Sequence, residues 1–259
     1  MSNIKMIVTD LDRTLLRKDK SLSVYTKSII NKCQQNGIVI VFATARPERA
    51  TRYLEMGVSY VIANNGATVV SGGKCIKNIS IPNKIAYPLI TRFVNDNRIT
   101  AMTVEVGDFL YTNDKEHKNW SFDADWNPVV TDFLMPVKED IYKISVECDS
   151  PEIVLNIVRD YQEIHILPNS GEKWQLIMHC TSTKFNAILE LSKLTGIPIK
   201  NIIAFGDDYN DVEMLKNCGV GVAVKNAVID AKEVADFICD TNDNDGVAKY
   251  LEEYVLFEK

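Results

Sequence analysis

The chain has 259 residues, of which 46% are hydrophobic and 25% charged, and its 29 Lys+Arg against 35 Asp+Glu leave a formal net charge of −6. These are the proportions of an ordinary globular protein, and they exclude collagen-like, disordered and coiled-coil classes. The acidic balance speaks against a nucleic-acid binder, which needs a basic face, and no run of about 18 apolar residues offers a membrane span.

In chain order, the N-terminal Met-Ser-Asn-Ile-Lys-Met-Ile-Val enters an apolar strand at once, without signal-peptide architecture. Strands are predicted at Met6–Thr9, Ile38–Ala43 and Tyr60–Ala63. Between them lie a helix from about Leu22 to Gln35 and another from Pro47 to near Gly57. Ser21 or Ser23 supplies the N-cap of the first helix, and Gly37 lies past its end. The middle reads differently. Ala101–Thr112 holds two strand-like runs joined by Gly107-Asp108, a hairpin signal. Ile141–Cys148 reads as a strand, Ser150-Pro151-Glu152 opens a helix running to about Tyr161, and Glu163–Leu167 and Trp174–Met178 read as strands. A helix over Lys184–Thr195, ended by Gly196, leads to strands at Asn201–Phe205, Val220–Val224 and Asp236–Cys239. Near-continuous apolar strands alternating with helices predict a doubly wound, parallel α/β sheet covered on both faces. The hairpin-rich middle, about residues 82–181, reads as an inserted α+β module, with Pro82 and Thr181-Ser182-Thr183 as hinges.

The six cysteines (Cys33, Cys75, Cys148, Cys180, Cys218 and Cys239) form no CxxC pair. They imply neither a disulfide framework nor a zinc site, and read as small buried hydrophobes in a reducing, cytoplasmic setting.

Four motifs carry chemistry. Asp10-Leu11-Asp12-Arg13-Thr14 ends the first strand with two carboxylates at i and i+2. That edge of an open parallel sheet is where ligands bind, and hard oxygen ligands suit Mg²⁺. Thr44, followed by Ala45-Arg46, ends the second strand just before a helix, where a hydroxyl and free N–H groups can hold a phosphoryl oxygen. Lys184 opens a helix, where a cation opposes the dipole and so points to an anionic partner. Gly206-Asp207-Asp208-Tyr209-Asn210-Asp211 ends another strand in a second cluster of acids.

Taken in this order, with spacings of 34, 140 and 23 residues from Asp10 to Thr44 to Lys184 to Asp207, the motifs resemble the haloacid dehalogenase superfamily. The resemblance is to its Cof-type phosphatases (subfamily IIB, with a type-2 cap), and it covers almost the whole chain. Asn64-Asn65-Gly66-Ala67 and Asn244-Asp245-Gly246-Val247-Ala248 share it. It implies a Rossmann-like core over residues 1–81 and 182–259, a cap over 82–181, and a Mg²⁺-dependent phosphatase acting on a small phosphorylated metabolite. By this resemblance Asp10 is the nucleophile that forms an aspartyl-phosphate, and Asp12 is the general acid and base. Mg²⁺ is held by the Asp10 carboxylate, the Asp12 carbonyl and Asp207. Thr44, Lys184, Asn210 and the N–H groups of Leu11 and Ala45 surround the phosphoryl oxygens. Asp208 and Asp211 lie behind the metal or orient Lys184. Arg13, Ala45, Phe185 and Lys225 stand where the pattern commonly has glycine. None removes a reacting group, so they bear on substrate fit. Trp120 and Trp126 in the insert are candidate specificity residues, and a monomer or weak homo-oligomer is expected. A phosphotransferase or phosphomutase on the same fold, a receiver-like signalling domain and a non-catalytic phosphate binder are the competing readings. The insert and the Gly206–Asp211 element disfavour the receiver, and the intact acids and lysine disfavour the binder.

Overall fold

The computed structural model describes residues 4–107, 109–115, 128–134, 139–168 and 173–256. The chain begins with β1 (Met6–Thr9), α1 (Val24–Gln35), β2 (Val39–Ala43), β3 (Tyr60–Ala63), β4 (Thr68–Ser71) and β5 (Lys74–Asn78). It continues through α2 (Asn83–Val94), β6 (Ile99–Val106), β7 (Phe109–Thr112), β8 (Val129–Val130), β9 (Ile141–Cys148), α3 (Pro151–Val158), β10 (Ile164–Pro168) and β11 (Trp174–His179). It closes with α4 (Lys184–Thr195), β12 (Ile202–Gly206), α5 (Val212–Asn217), β13 (Val220–Val224), α6 (Ile229–Val234), β14 (Phe237–Cys239) and α7 (Gly246–Leu251). Two compact units result: one of Met1–Arg46, Arg52–Ile76 and Thr183–Lys259, the other of Pro47–Thr51 and Lys77–Ser182.

The first unit is an α/β fold on a sheet of order β14-β13-β12-β1-β2-β3-β4-β5. From β14 to β3 every pairing is parallel. Alternate residues of β1 face opposite layers, which is why its apolar run is unbroken. Ile7 packs with Ile29, Ile30 and Cys33 of α1 and Val247 and Leu251 of α7. Met6 and Val8 pack with Ala187, Ile188 and Leu191 of α4. Ser23 is the N-cap of α1, its hydroxyl accepting the Thr26 N–H at 2.9 Å. Thr183 caps α4, and Gly196 ends it in the left-handed region at φ 70°.

The sheet departs from the expected all-parallel form at one edge, where β4 runs antiparallel to β3 and β5 extends the sheet. Asn64, Asn65 and Gly66 all have positive φ and reverse the chain after β3. Gly72 and Gly73, at φ 54° and 74°, turn β4 into β5, a two-residue glycine hairpin signal. Where a helix was expected after Pro47, only a tight helical segment forms, Glu48–Leu54. Its apolar side chains are too few to give a stripe that would hold a longer helix.

The second unit holds a sheet of order β10-β11-β9-β6-β7-β8. One face, with Met102, Val104, Ile144 and Val146, packs against Ile85, Leu89 and Phe93 of α2 and Val154 of α3. Helix α2 was not expected, because its opening Pro82-Asn83 resembles a loop, although its buried positions keep helical spacing. The other face is polar yet buried: Thr103 pairs with Ser145 and Glu105 with Lys143. Arg49, from the Pro47–Thr51 segment of this unit, donates to Glu105 Oε2 at 2.9 Å. Among the described residues no helix is long and apolar enough to cross a membrane.

Candidate active site

Parallel register decides which side chains meet. Thr9 pairs with Phe205 of β12 on one side and Phe42 of β2 on the other. One residue further, the Asp10 N–H still donates to the Phe205 carbonyl at 2.9 Å. Asp10, Thr44 and Asp207 therefore leave neighbouring strands at one sheet edge, the place where open α/β sheets bind ligands.

Lys184 Nζ lies 2.7 Å from Asp10 Oδ1 and 2.6 Å from Asp211 Oδ1. All three side chains are buried. The cation at the start of α4, unfavourable for the helix dipole alone, is thus matched by two carboxylates. Burial disfavours the Lys184 ammonium, but Asp10 and Asp211 outweigh it and hold the lysine well above its ordinary range. The other Asp211 oxygen accepts the N–H groups of Asp207 at 2.9 Å and Asp208 at 3.1 Å. Asp211 therefore ties the strand end, the turn and Lys184 together.

Asp10, Asp207 and Asp211 each bring a carboxylate oxygen within 4.8 Å of the others. Burial pushes Asp10 well above the carboxylate range. Lys184 opposes the shift, and Asp211, Asp207 and Asp12 add to it. Asp207 is pushed up to about 7, first by burial and then by Asp211. Its Oδ1 accepts the Thr14 hydroxyl at 2.8 Å, while its buried Oδ2 accepts no hydrogen bond and lies 3.4 Å from Arg13 Nε. Three carboxylates gathered beside one lysine, with one carboxylate oxygen that accepts no hydrogen bond, fit a hard divalent cation. Both Asp211 oxygens are already bonded, so Asp10 and Asp207 are the side chains left to hold it.

Asp12 leaves the strand end in a different direction. Arg46 grips it through two bonds of 2.6 Å, from Nε to Oδ2 and from Nη2 to Oδ1, and Lys20 Nζ adds a third at 2.6 Å. Burial would raise its pKa, but the Arg46 and Lys20 bonds and charges hold the carboxyl below its ordinary value. The Asp12 side chain is accordingly absent from the carboxylate cluster, and only its carbonyl remains as a candidate ligand. The turn that allows this puts Arg13 in the left-handed region at φ 61°, which explains why the resembling pattern favours glycine there.

Thr44 is buried, and its hydroxyl accepts the Arg46 N–H at 3.1 Å. Asn210 donates to Asn65 Oδ1 at 2.6 Å. Asp208 caps the turn before α5 by accepting the Tyr209 N–H at 2.8 Å, rather than joining the carboxylates. Leu11 is fully buried beside Asp10, and Ala45 follows Thr44. Trp120 and Trp126 lie outside the described residues. Sequence reasoning assigned no role to Arg46, Lys20, Thr14 or Asn65. Arg46 sits in the quoted Thr44-Ala45-Arg46 run, but nothing local tells that its guanidinium reaches a carboxylate 34 residues earlier.

Comparison with known proteins shows the family to which this fold belongs. Residues 7–251 match the family described as haloacid dehalogenase-like hydrolase. The chain is 29% identical over 265 residues to the 5-amino-6-(5-phospho-D-ribitylamino)uracil phosphatase YitU of Bacillus subtilis, covering 96% of this chain and 97% of that protein. It is 27% identical to the putative phosphatase YxeH of the same organism, covering 97% and 98%. A solved haloacid dehalogenase-like hydrolase from B. subtilis superimposes with a TM-score of 0.87 at 24% identity, covering 97% of this chain and 100% of that one. The chain belongs to the haloacid dehalogenase-like hydrolases, in a group whose named members are phosphatases.

Proposed function

We propose that this hydrolase releases phosphate from a small organic phosphomonoester by two successive displacements at phosphorus. An Asp10 oxygen attacks phosphorus, the ester P–O bond breaks, and an aspartyl-phosphate forms. Asp12 gives a proton to the departing alkoxide. It then takes a proton from the water that attacks the aspartyl-phosphate, releasing inorganic phosphate and restoring Asp10. Asp12 is held ionised by Arg46 and Lys20, so its acid step requires it to part from Lys20 and pick up a proton while Arg46 keeps it oriented. Lys184, Thr44, Asn210 and the N–H groups of Leu11 and Ala45 face the phosphoryl oxygens, fixed donors of the kind that supply most catalysis in such reactions. Mg²⁺, held by Asp10, Asp207 and the Asp12 carbonyl, offsets repulsion between the anionic nucleophile and the anionic phosphate when bound. Asp211 holds Lys184. The unit containing Lys77–Ser182 is the cap that selects the leaving group.

The observation that carries this reading is the buried Lys184 bridge between Asp10 and Asp211, beside an Asp207 oxygen that accepts no hydrogen bond. The name of YitU makes 5-amino-6-(5-phospho-D-ribitylamino)uracil the first ester to test, alongside sugar phosphates. Phosphate release is expected with Mg²⁺ and is lost with EDTA. Asp10→Asn abolishes turnover, and Asp12→Ala lowers it by about 10²–10⁴. Full activity of Asp10→Asn would sink the nucleophile assignment.

A further inference from the structure

The turn after β3 touches three of the segments assigned to phosphate, those of Thr44, Lys184 and Asn210. Asn65 donates its N–H to the Thr44 carbonyl at 3.0 Å, and Asn64 does the same to Arg46 at 2.9 Å. Gly66 lies so close to the Thr183 carbonyl, at the cap of the helix that carries Lys184, that a Cβ would collide with it. The Asn65 side chain accepts from Asn210 at 2.6 Å. Asn65 is 1% exposed, and its Nδ2 has no hydrogen-bond partner. It also holds φ 55° and ψ 34°, a conformation asparagine tolerates better than most residues. A donor kept buried without an acceptor is costly unless something supplies one. Each oxygen of a phosphoryl group is such an acceptor.

We infer that Asn65 belongs to the anion site: its Oδ1 fixes the Asn210 amide, and its Nδ2 donates to a phosphoryl oxygen. The inference rests on the proposed function, because Asn210 and Thr44 take their phosphate roles from it. It assigns Asn65 one positioning role, through Asn210, and one direct contact. Two variants separate these roles. Asn65→Asp keeps an acceptor for Asn210 but loses the donor. Asn65→Gly removes both and suits the left-handed backbone, so it preserves the turn.

The probe is inorganic phosphate, titrated calorimetrically into full-length protein with Mg²⁺ present. Kinetics with 4-nitrophenyl phosphate and thermal melting run in parallel. Both variants are expected to weaken phosphate binding by about tenfold or more, with Asn65→Gly melting close to wild type. Asn65→Gly combined with Asn210→Ala should weaken binding by less than the product of the two single effects, because the residues act as a pair. Phosphate affinity within twofold of wild type in either Asn65 variant overturns the inference. If wild type hydrolyses esters while that occurs, the proposed function stands and only the role of Asn65 falls. Wild type that neither binds phosphate nor hydrolyses any ester overturns both.

Discussion

Asp12 shows how one arginine governs the behaviour of an acid. Without Arg46 and Lys20, a half-buried carboxyl beside Asp10 would be pushed up by burial; with them it stays ionised and aimed away from the carboxylate cluster. A planar fork makes two parallel bonds that an ammonium cannot copy. Arg46→Lys should therefore leave the fold intact yet lower kcat by about 10²-fold, because Asp12 loses its fixed orientation. Steady-state kinetics next to a circular dichroism spectrum check this, and unchanged kcat would show the grip to be incidental. The DxD spacing told that two acids share a strand end. It could not tell that they diverge, since that depends on side chains 34 and 8 residues away from Asp12.

Elements place these groups through close backbone contacts at glycine and through register. Gly206 ends β12, and a Cβ there would strike the Asp211 side chain. Gly206→Ala should displace Asp211 from Lys184 and from the Asp207 and Asp208 N–H groups. Overpacking of this kind costs about 1–3 kcal/mol, read as a lower melting temperature together with weaker phosphate binding. In the second unit, the pairing of β6 with β9 sets Glu105 opposite Lys143, with Arg49 at 2.9 Å from Glu105. Burial lowers the Lys143 pKa, Glu105 opposes that and Arg49 adds to it. Glu105→Ala removes the carboxylate that faces the buried Lys143 and the part-buried Arg49 and should destabilise the protein by about 3–5 kcal/mol. An unfolding free energy lowered by less than a tenth of that would refute a structural role for the cluster. Most strands of both sheets are legible because apolar runs bounded by turn residues are a local signal. β4 escapes notice because its run is only four residues long, and β5 because Lys74–Asn78 is mostly exposed and polar, so no hydrophobic pattern marks it. Only pairing with β4 makes it a strand.

For the molecule as a whole, the net charge of −6 is less informative than its distribution. Three carboxylates gather at a buried edge, where Lys184 pairs with Asp10 and Asp211 and the half-exposed Arg13 guanidinium lies 3.4 Å from Asp207. Asp207 is raised from 3.8 to about 7. Between those values the folded protein holds a proton that the unfolded chain has released. Stability in EDTA should therefore be greatest below pH 4 as far as this group is concerned, and fall as pH rises towards 7. A bound divalent cation favours the ionised form, so its stabilising effect should grow over the same range, reaching about 2.7 kcal/mol at a hundredfold excess over Kd. Melting curves from pH 5 to 8, with EDTA or Mg²⁺, test both signs; parallel curves would contradict the shared site. The sequence by itself determined the class of fold, the strand ends that carry acids, and the lysine whose helix position called for an anionic partner. All of these follow from short-range pattern and spacing. Tertiary structure alone decided that Lys184 bridges Asp10 and Asp211, that Arg46 holds Asp12 and that Asn65 meets Asn210. Those contacts span 27 to 174 residues and exist only once parallel register has brought separate strand ends side by side.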